Sequence, residues 1–253
     1  MNKPKKILKG FILVILGLVI LITIASTINN RIGNCEVEGE IKGLGTTIAM
    51  ISGGTDSYEK TFIKFVLVFN DKFSFKAKLD ESGGGRFLSY NMLFRRASGW
   101  PPLWMRSKAI DFDINPSQVI SIKGFIKDYS VDYLISGNEQ SEDASKFRQN
   151  NLSLLERETK MILKIDSLEQ TDTNQNNIDS LYKVFEKIRT EYNSQRLKYA
   201  IQNPTHEISA SFLQSQGKDS IIKYFPILSE NVLATYKGKM LKKRFLAYKE
   251  NFR

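Results

Sequence analysis

The spacing of apolar residues changes at Gly137, and this change sets the fold class. From Glu36 to about Ile135, apolar and polar residues alternate, and Gly, Asn, Asp and Pro interrupt them at short intervals. Such segments are typical of antiparallel strands. After Gly137 the apolar residues recur at helical spacing. The sequence therefore predicts an α+β protein, with an antiparallel β domain over 35–137 and a helical domain over 138–253.

The clearest strands form a hairpin. TFIKFVLVF (Thr61 to Phe69) and KFSFKAKL (Lys72 to Leu79) are joined by Asn70-Asp71, two residues that tolerate the positive φ of a tight turn. Alternate residues of the second strand are apolar, so one face is expected in the core and the other in water. The further predicted strands are Val37 to Lys42, Thr46 to Ser52, Phe87 to Phe94, Ala109 to Ile114, Val119 to Ile126 and Val131 to Ile135. This many short strands predicts a small antiparallel β sandwich or curled sheet.

Two long helices are predicted in the second half. One carries apolar residues at seven-residue steps from Phe147 to Leu168, and the next runs from Ile178 past Tyr192. The polar stretch EQTDTNQNN between them favours an αα-hairpin. Asn203-Pro204 is expected to end the second helix, because proline disfavours helical geometry in the residue before it. Shorter helices are predicted near Ile208 to Gln214, Asp219 to Tyr224, Ser229 to Tyr236 and Lys239 to Phe252.

Residues 1–30 form a basic region followed by an apolar run. Four lysines within the first nine residues precede an uncharged stretch from Gly10 to Asn30. A helix needs roughly 20 residues to cross the hydrocarbon core, so 10–30 is long enough for a transmembrane helix that binds the chain to a membrane. The positive-inside rule then places the N-terminus in the cytoplasm and the residues after 30 on the extracytoplasmic, periplasmic side.

The same segment could instead be a cleaved signal peptide. Ala25-Ser26-Thr27 is an imperfect version of the small-residue cleavage pattern, and Cys35 lies too far beyond the apolar run, after Asn34, to be a lipobox cysteine. We therefore favour an uncleaved signal-anchor, with secretion after signal cleavage as the alternative. A buried core helix is disfavoured because the run is apolar on all faces.

Composition excludes several kinds of site. Cys35 is the only cysteine and His206 the only histidine, so intramolecular disulfides, CxxC redox chemistry and cysteine-based zinc sites are all ruled out for this chain. Removing the four N-terminal lysines lowers the formal charge from +10 to +6, which is ordinary for a region of this size. We predict no catalytic, cofactor-binding or metal-binding residues, no cofactor, and no nucleic-acid partner, since no nucleic-acid motif is found.

One loop is a candidate for interaction with a partner. SGWPPLW (Ser98 to Trp104) holds both tryptophans around a Pro-Pro, and its candidate interaction residues are Trp100, Pro101, Pro102 and Trp104. Exposed rings would indicate a binding hot spot or a lipid contact. Burial of one or both rings would mean that they close the end of the β core, and this second interpretation is favoured.

For two further features, a structural role is predicted rather than a functional one. SGGGR (Ser82 to Arg86) lacks the lysine-serine ending of a P-loop, and a glycine-rich hairpin loop is predicted instead. His206 follows Pro204 at a predicted helix start, where a surface position in the first turn is expected.

Several stretches together resemble a known family. They are CEVEGEIKGL (Cys35 to Leu44), FNDKFSFKAKL (Phe69 to Leu79), YLISGN (Tyr133 to Asn138), IQNPTHEISASFL (Ile201 to Leu213) and YKGKMLKKRF (Tyr236 to Phe245). They are similar to the domain of unknown function that precedes a thioredoxin-like domain (AhpC/TSA, thiol-disulfide interchange) in envelope proteins of Bacteroidota. The resemblance implies a thioredoxin-associated accessory domain, here without the thioredoxin-like domain and its CxxC.

These observations predict a membrane-anchored accessory domain of the cell envelope. Its expected role is binding or scaffolding, without redox activity of its own. The expected partners are the membrane through residues 10–30 and an envelope protein, for which a thioredoxin-like protein is one candidate. The rival hypothesis is an enzyme whose site is assembled from residues distant in sequence, which a pocket of clustered carboxylates or a buried His206 would favour.

Overall fold

The computed structural model describes residues 31–56, 60–97, 99–171 and 175–250, with the side chain of Trp100 also outside the described part. Within these residues the protein is α+β, with ten strands followed by seven α-helices. The predicted membrane segment, residues 1–30, lies outside them. No helix within these residues combines the length and the apolarity that crossing a membrane requires.

The strands form two four-stranded sheets and one hairpin. Sheet I has the order β10-β9-β1-β4, sheet II the order β3-β2-β5-β8, and β6 pairs with β7. The strands are β1 (Cys35–Lys42), β2 (Thr47–Thr55), β3 (Thr61–Val68), β4 (Lys72–Ala77), β5 (Gly83–Ser89), β6 (Phe94–Arg96), β7 (Gly99–Leu103), β8 (Ile110–Ile114), β9 (Val119–Ile126) and β10 (Val131–Ser136).

Sheets I and II pack face to face around one core. Phe73 of β4 stacks on Phe87 of β5 with ring centroids 4.3 Å apart, and Phe75 of β4 lies 6.2 Å from Phe112 of β8. The buried residues of both sheets form a single cluster. The architecture is a small β sandwich, in which alternate residues of each strand point into the core.

The prediction of a purely antiparallel domain is wrong at one pair of strands. β1 and β9 run parallel, with Glu36 opposite Val119. A parallel pair needs a long connection rather than a hairpin, and the chain forms seven other strands between β1 and β9. The predicted tight turn at Asn70-Asp71 forms, with positive φ at both residues, 49° and 69°. The predicted hairpin does not, because beyond the bridge between Phe69 and Lys72 the strands separate, β3 into sheet II and β4 into sheet I.

The helices are α1 (Glu139–Asn150), α2 (Leu152–Thr171), α3 (Gln175–Gln202), α4 (Ile208–Gln214), α5 (Lys218–Tyr224), α6 (Glu230–Ala234) and α7 (Tyr236–Glu250). The first predicted helix is in fact two helices, because Asn151 leaves helical geometry and caps α1. Arg157 pairs with Glu191, and Tyr182 donates a hydrogen bond to Glu169, so α2 and α3 run antiparallel as the predicted αα-hairpin. α3 ends at Gln202, directly before Asn203-Pro204.

Helix α1 closes one side of the sandwich. The Ser141 hydroxyl accepts a hydrogen bond from the Asp113 N–H (2.7 Å) and donates one to the Asp113 carbonyl (2.6 Å), while Ser145 accepts from the N–H of Ile135 (3.1 Å). Buried Arg148 donates to the carbonyls of Val131 and Ser107. These bonds satisfy backbone groups on β8 and β10, the end strands of the two sheets, and fix the helical region against the sandwich.

Candidate functional site

The outer face of sheet II is the candidate site, and strand pairing arranges its side chains in four rows. From one end to the other, the rows are Leu67 and Ile48; Phe65, Met50 and Leu88; Ile63, Ser52, Arg86 and Asp111; and Thr61, Gly54, Gly84 and Asp113. Residues two apart on a strand lie on the same face, so these side chains share one surface. The surface is apolar at one end and polar at the other.

The apolar end is exposed to an unusual degree. We define the apolar face as Ile48, Met50, Ile63, Phe65, Leu67 and Leu88. Ile63, Phe65 and Leu67 retain 64%, 52% and 49% of their accessible surface. Single exposed apolar residues are normal, but a contiguous group in direct register marks a surface that contacts another molecule.

Both faces of β3 are mostly apolar, and its one charged residue points inward. Lys64, the only charged residue of this strand, points inward and is buried, while its apolar neighbours Ile63 and Phe65 point outward. Burial lowers the pKa of the Lys64 ammonium. β3 is an end strand of sheet II, and an inward-pointing charge on an end strand opposes strand-to-strand aggregation. Lys64 therefore opposes aggregation through the edge of β3, although the neighbouring apolar residues are exposed.

Glycines form the floor of the polar end. Gly53 and Gly54 of β2 pair with Gly85 and Gly84 of β5. The SGGGR stretch, predicted as a hairpin loop, therefore lies mostly within a central strand. A Cβ on Gly84 would lie 2.6 Å from the Phe112 carbonyl oxygen, so the backbones approach too closely for a side chain. Without side chains, this part of the sheet is recessed.

A cleft of about 530 Å³ lies over this glycine floor, between sheet II and the helical region. We call it the sheet cleft. Asp56, Asp111 and Asp113 line it from the β side, and Ala144 and Lys237 line it from the helices. Lys237 Nζ lies 2.7 Å from Asp113 Oδ1, in an ion pair that joins α7 to β8.

Lys237 interacts electrostatically with Asp113 and Asp56 of the cleft and with Glu207, which lies outside the cleft lining. Burial raises the pKa of Asp56 and of Glu207; Lys237 opposes both shifts, and Asp113 adds to them. Burial alone would lower the pKa of Lys237, but the ion pair with Asp113 and the charges of Asp56 and Glu207 outweigh it, so that the pKa is raised. Lys237 therefore stays protonated and is a counter-ion rather than a nucleophile.

A second recess, of about 270 Å³, is lined by residues of the helical region, among them Glu139, Asp143 and Glu207. Beside it, His206 Nδ1 lies 2.5 Å from Asp143 Oδ2 and 3.1 Å from the Tyr199 hydroxyl. Burial and the neighbouring Asp143 raise the pKa of Tyr199 to about 12. The expectation of a surface His206 is corrected: the ring is half-buried and links α1 to the start of α4, because its partner Asp143 comes from a helix 63 positions earlier.

The candidate interaction loop is mostly a strand. Trp100, Pro101 and Pro102 belong to β7, and Trp104 follows it. The Trp104 ring is 44% exposed, and the Arg86 guanidinium stacks on it, 4.4 Å from the ring centroid. Trp104 therefore lies at the edge of the outer face of sheet II rather than in the core. For Trp100, whose side chain lies outside the described part, the favoured interpretation stays a prediction.

The described residues offer little support for a metal site or a reactive cysteine. No group of three or more His, Cys, Asp or Glu there could hold a metal ion. Cys35 is buried in the sandwich core, and burial raises the pKa of its thiol.

The residues of the site were not singled out by sequence reasoning. One signal was available for the apolar face: TFIKFVLVF is apolar at both odd and even positions, so both faces of β3 are apolar. Another was IDFDI, where Asp111 and Asp113 share one face. Nothing in the sequence indicates that Lys237, 124 positions from Asp113, would join them.

The fold defines a β sandwich with an appended helical region and an open outer face on one sheet. Compared with known proteins, the chain matched no family model, no curated protein and no solved structure. The resemblance to the thioredoxin-associated domain thus stays a prediction, and a function must be argued from the site itself.

Proposed function

We propose that the protein is a membrane-anchored accessory domain of the cell envelope, with a binding or scaffolding role. Residues 10–30 hold it to the membrane, the N-terminus is cytoplasmic, and the sandwich and helices face the extracytoplasmic side. The partner is an envelope protein bound on the outer face of sheet II, and a thioredoxin-like protein is one candidate. The observation that carries the binding role is the apolar face, six apolar side chains in register on an otherwise well-packed sandwich.

Two features support this proposal. The lysines before an uncharged run of 21 residues have the charge and length of a signal-anchor. Only Arg31 to Asn34 separate that run from β1, so the sandwich would stay within about 20 Å of the membrane surface even with this linker extended. A domain held so close to a membrane meets partners embedded in it.

The proposal assigns no redox activity to this chain. A dithiol exchange centre needs two cysteines, and the chain has one. That cysteine is buried with a raised pKa, which disfavours the reactive thiolate.

The test is co-purification of the full-length chain from its native membrane, with mass spectrometry of the bound proteins. Leu67→Lys places a charge in the apolar face, while the matched control Leu134→Lys changes a leucine of similar exposure, 42%, on the end strand of sheet I. We expect a specific partner with the wild type and the control, and its loss with Leu67→Lys. Equal recovery from both variants would contradict a binding role for this face.

The rival function, an enzyme with a site assembled from distant residues, is favoured by the sheet cleft. Burial raises the pKa values of Asp56 and Glu207, both of which lie near Lys237. A carboxyl group with a raised pKa can act as a general acid. Turnover by the purified chain that Asp56→Asn abolishes and Leu67→Lys leaves intact would establish this function instead.

A further inference from the structure

The apolar face and the sheet cleft form one continuous surface. Ile63 and Ser52 in the third row lie between the apolar rows and the glycine floor. Six residue steps separate Leu67 from Thr61, so the four rows extend roughly 20 Å along the strands. An extended protein segment of about six residues would cover this length.

The polar end of this surface is negatively charged. Its carboxylates are Asp56, Asp111 and Asp113, and its cations are Arg86 and Lys237. Three carboxylates against two cations leave a formal charge of −1, on a chain whose total formal charge is +10. The sign at this end is therefore opposite to that of the whole chain, and a cation is attracted here specifically.

We infer that this surface binds an apolar protein segment carrying a lysine or arginine at one end, with the apolar side chains on the apolar face and the cation in the sheet cleft. The inference rests on the proposed function and names the chemistry of the partner. An anionic bilayer fits less well, because the carboxylates repel its head groups. A second copy of this chain also fits less well, since six half-exposed side chains offer a few hundred Å², below the roughly 800 Å² per partner of a standard interface.

Peptide binding to the full-length chain tests this inference. The chain is placed in nanodiscs of zwitterionic lipid, and fluorescein-labelled peptides are titrated by fluorescence polarisation. Three probes suffice: an apolar hexapeptide ending in Lys-Lys, the same hexapeptide ending in Glu-Glu, and a polar hexapeptide ending in Lys-Lys. We expect the first to bind most tightly, about tenfold over the second.

Substitutions separate the two ends of the surface. Leu67→Lys should weaken both apolar peptides about tenfold, because it buries an unpaired charge under the ligand. Ile48→Ser is a milder second variant in case Leu67→Lys fails to fold. Asp111→Asn removes the carboxylate that pairs with Arg86 (Nε to Oδ1, 2.6 Å) and should reduce the preference for Lys-Lys over Glu-Glu about threefold. Leu134→Lys should change neither quantity.

The outcomes distinguish this inference from the proposed function. Suppose that the two apolar peptides bind with equal affinity and that Leu67→Lys weakens both. The inference that the ligand carries a cation at one end would then be overturned, while a binding role for the apolar face would remain. Binding that neither Leu67→Lys nor Ile48→Ser weakens would also overturn it. Co-sedimentation with anionic vesicles that Leu67→Lys abolishes would assign the face to the bilayer instead. If Leu67→Lys changes neither peptide binding nor partner recovery, the proposed function fails as well.

Discussion

Sheets I and II share one core but present opposite chemistry on their outer faces. The outer face of sheet I is mostly charged, with ion pairs between Lys76 and Glu36 (3.3 Å) and between Lys72 and Glu40 (3.9 Å). Its exposed Leu134 and Phe125 lie opposite the charged residues Lys123 and Asp132. The outer face of sheet II carries the apolar face and the sheet cleft instead. The same architecture thus provides an ordinary solvated surface on one side and a surface for another molecule on the other. The difference indicates where the partner binds.

Among the substitutions, the largest loss of stability is expected in the core that the two sheets share. Phe87→Ala removes a fully buried ring that stacks on Phe73, so we expect a loss of about 3–5 kcal/mol of unfolding free energy. The control is Phe65→Ala, the same change on the outer face of sheet II, which should cost about 1 kcal/mol or less. Urea denaturation of both variants measures this. Equal losses would mean that the outer face is part of the folding core.

An intermediate effect is expected in the sheet cleft. Lys237→Gln removes the ammonium that neutralises Asp113 and its acidic neighbours, so we expect a loss of about 1–3 kcal/mol at pH 7. Lys239→Gln, an exposed position on the same helix, should have almost no effect.

The loss of unfolding free energy in Lys237→Gln should also depend on pH. Burial raises the pKa values of Asp56 and Glu207, so in the folded state these groups take up protons at a higher pH than ordinary carboxyl groups do. Protonation relieves their repulsion once Lys237 is gone, and the loss should be smaller at pH 5 than at pH 7. In the wild type, the raised pKa of Lys237 contributes stability that is fully present below pH 10 and is lost as the pH rises through the folded-state pKa. Thermal melts across this range measure both; a loss independent of pH would contradict the arrangement of charges.

The smallest effect is expected on the outer face of sheet I. Glu36→Gln removes one ion pair with Lys76, both partners of which are partly exposed, so the loss should be at most about 0.5 kcal/mol and should vanish in 1 M salt. A loss of several kcal/mol would show that the charged face is structural rather than solvated, and would weaken the comparison between the sheets.

Much of the fold could be predicted because it follows from local patterns. β9 has the predicted bounds, the Asn70-Asp71 turn has the expected positive φ, and α3 ends before Asn203-Pro204. The errors arise where tertiary contacts decide. The glycines of β5 have no side chains to signal a strand, and only their pairing with Gly53 and Gly54 makes them one.

The candidate site could be predicted less well, because it depends on which faces are left uncovered. The sequence shows that β3 is apolar on both faces, but the packing of the helices against β8 and β10 determines that its outer face stays exposed. Similarly, Trp104 was expected in the core because tryptophans in small β domains are usually buried, yet stacking on Arg86 holds it at the surface. The sheet cleft joins residues from positions 56, 113, 144 and 237, which no local pattern connects.

Photo-crosslinking in the native envelope tests the outer face of sheet II most directly. Full-length chains would carry the photoreactive residue benzoylphenylalanine at position 65 or 125. These positions replace two phenylalanines of similar exposure, Phe65 on the outer face of sheet II and Phe125 on sheet I. The account predicts one discrete protein adduct from position 65, abolished by Leu67→Lys, and none from position 125. Equal adducts from both positions, or an adduct from position 125 alone, would contradict it.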